Sequence, residues 1–277
     1  MTTIGTGTGT HRLAEFFDRP LDVVCADPAA RVCVEDLLDG LEAGAVRAAT
    51  QTAGQWAAHG WVKRGILAAF RLSETVAYAG WPGGAVDRSL VGPREIGMGD
   101  GVRLVPGGSA VRRGACLEAG VVVMPPAYVN VGAFVGRDSM VDSHVLVGSC
   151  AQVGTGVHLS AAVQLGGVLE PVGARPVVVE DGAFVGAQCG LFEGVVVRSR
   201  AVLAPGVILT AATRIFDLVR KVELRGEVPS GAVVVPGTRP ASGDWAAARG
   251  LALSAPCIVK YRDSSTEVST VLESALR

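Results

Sequence analysis

Large rings are scarce in this chain: Phe, Tyr and Trp make up 5% of its 277 residues, although 49% are hydrophobic. An apolar chain without rings must bury many small side chains. That favours narrow repetitive coils over a thick sandwich or a helical bundle. Neither sign of charge is in excess, since 25 Lys+Arg face 26 Asp+Glu. The balance gives no electrostatic footprint for nucleic acid, and no charge block suggests an acidic tail. The cysteines at 25, 33, 116, 150, 189 and 257 form no CxxC and no zinc or disulfide spacing. They read as reduced, mostly buried thiols of a cytoplasmic protein. No apolar run approaches the ~20 residues of a membrane span. The opening MTTIGTGTGTHRL has no basic region followed by an apolar stretch, so it is not read as a signal peptide. Its Gly-Thr run reads as a disordered tail rather than a phosphate loop. No P-loop, GxSxG or HExxH appears.

What the chain has is glycine, at 37 residues, and a period. An aliphatic residue recurs every sixth position at Val111, Leu117, Val123, Val129, Val135, Val141, Val147, Val153, Leu159 and Leu165. After the segment Leu169–Pro176 the series resumes at Val179, Val185, Leu191, Val197, Leu203, Leu209 and Ile215. The step from Leu165 to Val179 is one hexad plus an insertion of eight, so the phase is kept. Four residues after the aliphatic stands a small or β-branched residue in nearly every hexad, such as Ala115, Val121, Ala133, Ser139 or Cys189. Gly often follows the aliphatic directly, as at Gly136, Gly148, Gly154, Gly166 and Gly186. These features predict a parallel β-helix whose coil has three sides of one hexad each. The aliphatics point inward, and Gly and polar residues supply the turns.

The flanks lack the period. Val34–Ala45 and Trp56–Arg71 have helical apolar spacing, while Pro82–Gly84 and Gly97–Gly101 read as loops. Phe216–Glu227 reads as a hairpin or excursion, Gly231–Gly237 as a strand and Ser242–Arg249 as a loop. Pro256–Tyr261 reads as a strand and Thr266–Leu276 as an amphipathic closing helix. The expected fold is mostly β: an α-rich N-terminal domain (1–100), a parallel β-helix (101–237) and a short mixed C-terminal segment (238–277).

Candidate chemistry is sparse. His144 and His158 both lie in the repeat, but their separation falls short of the three hexads of one coil, so they do not stack as metal ligands. Each is read as either catalytic or structural. Asp142 stands where Gly sits in several other hexads; it is either a surface turn residue or a placed carboxylate. Arg103, Arg112 and Arg113 precede or open the first coils. They could bind a dicarboxylate in bidentate fashion or form a solvated edge.

Several stretches together resemble the tetrahydrodipicolinate N-succinyltransferase family. They are Gly54-Gln55-Trp56, Trp61-Val62-Lys63-Arg64, Met140-Val141-Asp142-Ser143 and VGSCAQVG from Val147. VHLSAA from Val157, LGGVLEP from Leu165, GAVVVPG from Gly231 and IVKY from Ile258 complete the set. The resemblance runs from about residue 34 to the C-terminus. It implies a left-handed helix, a homotrimer with sites between neighbouring helices, and succinyl-CoA as co-substrate with no metal. By position it implies Arg103 as substrate-binding, Asp142 as substrate-binding and catalytic, and Glu193 as a second catalytic carboxylate; Arg112 is added as a substrate-binding candidate from its place at the first coil alone. Gly166, Gly167, Ala187 and Pro205 would line the CoA groove. One position departs: some members carry an assisting glutamate where this chain has Gly190. His144 stands where some relatives have an aromatic residue. Either the assisting carboxylate is dispensable, or Glu193 or His144 replaces it, or specificity differs. The rival readings are an N-acetyltransferase or related enzyme of specialised metabolism, and a trimeric scaffold without catalysis.

Overall fold

The computed structural model describes residues 8–81 and 84–262. The N-terminal part has four helices, α1 (Thr8–Phe17), α2 (Leu21–Ala26), α3 (Ala30–Glu42) and α4 (Gly60–Leu72). α3 buries Val34, Leu37, Leu38 and Leu41, and α4 buries Val62, Ile66 and Ala69, each set on one helical stripe. Two antiparallel hairpins, absent from the sequence reading, accompany the helices, one between α3 and α4 and one after α4. They are β1 (Ala49–Thr52) with β2 (Gln55–Ala58), and β3 (Thr75–Tyr78) with β4 (Ala85–Arg88). Trp56 therefore lies on a strand, not at the start of a helix. Thr8 and Gly9, read as part of a disordered tail, belong to α1, and the rest of that stretch lies outside the described residues.

The hexads build a three-faced prism of short parallel strands. The first face stacks Arg103–Leu104, Val122–Val123, Met140–Val141, His158–Leu159, Phe184–Val185, Val202–Leu203 and Ala232–Val235. The second stacks Ala110–Val111, Tyr128–Val129, Leu146–Val147, Gln164–Leu165, Gly190–Leu191 and Ile208–Leu209. The third stacks Cys116–Leu117, Phe134–Val135, Gln152–Val153, Val178–Val179, Val196–Val197 and Glu227–Val228. Met140 pairs with His158, three hexads further on, as a three-sided coil requires. His158 pairs with Phe184, a step that also contains the insertion. The second residue of each strand and the small residue four positions later form one continuous buried cluster. Ser139, the polar member of that small row, donates its hydroxyl to the Gly154 carbonyl and accepts from the Val157 amide.

Glycine does two jobs here, and the sequence reading saw one. In most hexads the residue three positions after the inward aliphatic has positive φ: Gly114, Gly120, Gly132, Gly156 and Gly182, but also Asp138, His144, Cys150, Ala162 and Gln188. That is the turn slot. Gly136, Gly148, Gly154 and Gly186 are not in it. A Cβ on Gly148 would lie 2.3 Å from the Gly167 amide nitrogen, and one on Gly136 would lie 2.6 Å from the Gly154 carbonyl carbon. These glycines let the backbones of adjacent coils touch.

Ile215 is a correction. It keeps the six-residue phase and is buried, but Ile215–Asp217 turns out to pair antiparallel with Val222–Leu224 and parallel with the C-terminal strand Cys257–Tyr261. Val228 takes the place on the third face that the phase assigned to Ile215. The expected excursion after it, the strand near 231–237 and the strand near 256–261 are all present. Asp244–Ala247 forms a short helix, α5, within the expected 242–249 loop. The expected helix Thr266–Leu276 lies outside the described residues.

The hairpin β1–β2 covers the third face and is clamped by one carboxylate. Glu180 accepts from Trp56 Nε1 (2.8 Å), Gln51 Nε2 (3.0 Å), Arg198 Nη1 (2.9 Å) and the Ser199 amide and hydroxyl (both 3.0 Å). Burial pushes this carboxyl up, but the donors outweigh it and hold its pKa below the ordinary 4.5. A depressed folded pKa stabilises above the unfolded value, and the benefit is lost as pH falls through the folded one. Glu180→Gln should therefore lower stability by about 2–3 kcal/mol at pH 7, because Arg198 keeps Glu227 as a second partner. Denaturant melts of both proteins should converge below about pH 4.

Candidate active site

Asp142 follows the inward Val141 and stands on the edge between the first and second faces. Further along that edge come Ser160-Ala161-Ala162, Gly186-Ala187-Gln188 and Ala204-Pro205-Gly206, with Gln188 the only long side chain among them. Backbone bonds from Ala162 to Ser143 (2.8 Å), Gln188 to Ala161 (2.9 Å) and Gly206 to Ala187 (2.9 Å) stack these turns. A shelf of mostly small residues thus runs up the prism from the carboxylate. On the other side of the edge, Gly108, Pro126, Tyr128, His144 and Leu146 line a shallow depression of about 260 Å³.

The Asp142 carboxylate is 32% exposed. Its Oδ1 accepts from the Ser143 amide at 2.7 Å, and its Oδ2 lies 3.9 Å from His158 Nε2. The sequence reading missed this pair. Its signal was present: one full coil before His158 stands Met140, two positions from Asp142. His144 occupies the positive-φ turn slot, and its backbone carbonyl accepts from Gln164 Nε2 at 3.0 Å.

Arg103 is exposed on the outward row of the first face, in register with Val122 and then Met140. Two coil spacings of roughly 4.8 Å separate it from Met140, a distance its long side chain can largely span. Among the described residues no carboxylate pairs with it. Arg112 differs. It stands on the second–third edge, pairs with Asp87, and has its guanidinium 5.1 Å from the Phe70 ring centroid. Arg113 pairs with Asp39 at 2.8 Å. Both are tied to the N-terminal part of the chain.

The expected CoA-groove residues fall on two edges. Ala187 and Pro205 share the edge of Asp142. Gly166, Gly167 and Glu193 stand on the second–third edge, where Glu193 is exposed with φ 55°. The insertion 169–176 rises there. It is held by the buried Lys63, which donates to the Ala174 carbonyl. One chain therefore does not bring Asp142 and Glu193 together.

Gly190 has a structural explanation. A Cβ there would meet Phe192 Cε2 at 2.6 Å, and one on Gly166 would meet Phe192 Cδ1 at 2.7 Å. The Phe192 ring lies across both glycines on the outer side of the second face. Gly190→Glu must evict that ring. The expected result is a loss of about 1–3 kcal/mol with no gain in turnover. Adding Phe192→Val should restore the thermal midpoint.

A larger cavity of about 370 Å³ lies under the β1–β2 hairpin on the third face, lined by Arg47, Trp56, Phe134 and Glu180 among others. It is on the opposite side of the prism from the Asp142 edge. No group of three or more metal-ligating side chains occurs among the described residues. No helix there is long and apolar enough to cross a membrane.

Comparison with known proteins gives the lineage. Residues 12–72 match the family described as tetrahydrodipicolinate N-succinyltransferase N-terminal, and residues 176–211 match the hexapeptide repeat of succinyl-transferase. A 2,3,4,5-tetrahydropyridine-2,6-dicarboxylate N-succinyltransferase of Rhodopseudomonas palustris is 43% identical over 254 residues, covering 89% of this chain and 90% of its own. The Acinetobacter baylyi protein of the same name is 38% identical over 276 residues, covering 96% and 97%. A solved Campylobacter jejuni structure assigned as a tetrahydropyridine-carboxylate N-succinyltransferase is 18% identical with TM-score 0.49, over 82% of this chain and 62% of that one. With near-full-length relatives at this identity, the chain belongs to the tetrahydrodipicolinate N-succinyltransferase family.

Proposed function

We propose that this protein transfers a succinyl group from succinyl-CoA to the ring nitrogen of tetrahydrodipicolinate, a step of lysine and diaminopimelate biosynthesis. The observation that carries the reading is the 43% identity, over 89% of the chain, to a protein of that activity. In the reaction water adds across the ring C=N of the acceptor, the N–H nitrogen so formed attacks the thioester carbonyl, the C–S bond breaks, CoA leaves as the thiol, and the ring opens to the oxo acid. The attacking amine gives its proton to Asp142, and Arg103 holds an acceptor carboxylate. Backbone amides of the glycine-rich turns supply donors for the developing oxyanion. The shelf beside Ala187 and Pro205 takes the extended CoA arm.

The working unit is a homotrimer of left-handed β-helices in the cytoplasm. The outward rows support this: Val122, Met140 and the half-buried Phe184 on the first face, and Tyr128, Leu146 and the 47%-exposed Ile208 on the second, are unusually apolar for free surface. A prism laid against the second face, which both edges border, would build one cleft from Asp142 of one chain and Gly166, Gly167 and Glu193 of the next. A second reading, transfer of acetyl or another acyl group, is favoured by the Phe192 ring over Gly166 and Gly190. A thiol-release assay with tetrahydrodipicolinate or 2-aminopimelate against a panel of acyl-CoAs decides. Release with succinyl-CoA at least ten times faster than with acetyl-CoA supports the first reading. The reverse order replaces it with the second, and no release with any donor leaves the scaffold.

A further inference from the structure

The pair on the first face has more in it than proximity. His158 stands one coil beyond Met140 and in register with it, and the Asp142 amide bonds to the Leu159 carbonyl at 3.0 Å, so the backbone fixes where both side chains begin. Along the outward row the imidazole is flanked by Met140 on one side and Phe184 on the other. The Phe184 ring centroid is 5.1 Å away, with the planes at 59°. Both flanks are apolar. The carboxylate to the side is the one ion-pair partner of His158 among the described residues. Asp142 is constrained in turn: Oδ1 is engaged by the Ser143 amide, which leaves Oδ2 facing His158. At 3.9 Å the contact is longer than a hydrogen bond, yet a small rotation closes it, as is common before substrate is bound. Both side chains remain accessible to a ligand, at 39% and 32% exposure.

We propose that His158 is a positioning residue: its imidazole N–H aims the free oxygen of Asp142, so that the carboxylate meets the acceptor nitrogen as a base. The proposal rests on Asp142 acting as the base of the reaction above. His158 itself exchanges no proton with substrate. The other ionisable groups on this part of the prism are Arg103, two coils before His158's neighbour Met140, and His144, two residues beyond Asp142.

The test uses the full-length protein in the thiol-release assay, with His158→Phe, His158→Gln, Asp142→Asn and the double variant Asp142→Asn with His158→Phe. His158→Phe keeps the packing between Met140 and Phe184 but removes the donor. It should lower kcat by about tenfold or more and leave KM for succinyl-CoA unchanged. His158→Gln retains an N–H donor and should recover part of the loss. On the Asp142→Asn background, His158→Phe should cost little more, because the effect runs through Asp142. An impaired Asp142→Asn beside a His158→Phe protein with parental kcat overturns the His158 role alone. So does a His158→Phe loss that adds in full to that of Asp142→Asn. A fully active Asp142→Asn overturns the base assignment and this proposal with it.

Discussion

Asp142→Asn should lower kcat by roughly 100-fold or more while sparing CoA binding, because it removes the base and keeps the shape. The amide is nearly isosteric and can still accept from the Ser143 amide, which Asp142 Oδ1 does at 2.7 Å. The turn should therefore keep its backbone, and the thermal midpoint should stay close to that of the parent. The small-residue shelf past Ser160 is untouched, so the dissociation constant for CoA measured by calorimetry should change by less than about threefold, under about 1 kcal/mol. Parental turnover in this variant would remove Asp142 from the mechanism and leave the family relationship intact.

Gly148→Ala should be strongly destabilising for a single added methyl. Its added carbon would sit 2.3 Å from the Gly167 amide nitrogen and 2.5 Å from the Leu165 carbonyl oxygen. These are backbone atoms of the next coil, held by the bond from Gly148 to Leu165 at 2.9 Å, so no side chain can swing away. The coils must part, at a cost of about 3 kcal/mol or more. Gly156→Ala is the control. Gly156 has φ 62° and nothing within 4 Å of its Cβ position. That change meets only backbone strain, about 1 kcal/mol. Thermal or denaturant melts should separate the two variants clearly. Equal losses would mean that the inter-coil contact is not what fixes Gly148.

The contrast between these glycines also shows what was legible in the sequence. The inward rows could be read because one period governs one physical demand, an aliphatic for a narrow core. Coil length and insertion length followed from that period, while the excursion was placed one hexad late, after Ile215. Position relative to a neighbouring coil was harder. His158 meets Asp142 only after a shift of three hexads, and the residues do not look related when read along the chain. Gly148 and Gly156 both read as turn glycines, although one serves a contact and the other a dihedral. Ile215 kept phase and burial but left its face, because the pairing of Phe216 and Asp217 with the C-terminal strand is long-range. In the β1–β2 hairpin each strand is short, and only Ala49 is buried, with the remaining positions half-buried or exposed; that is too little apolar contrast to mark it. The candidate site was named as residues of one family motif set. Its division between two edges could not be read without assigning each hexad to a face.

That division has a consequence for changes in chain length. The core registers only the inward residue of each hexad, so losing one hexad between Asp142 and Pro205 would leave every aliphatic inside. Everything downstream would, however, turn by one face, and Pro205 would leave the edge that carries Asp142. Removing a whole coil of three hexads would restore the alignment. Tolerated insertions and deletions in the prism are thus quantised twice, by single hexads for folding and by triplets of hexads for keeping the two halves of a cleft in phase. The insertion after Gly167 satisfies both rules by looping outside the count.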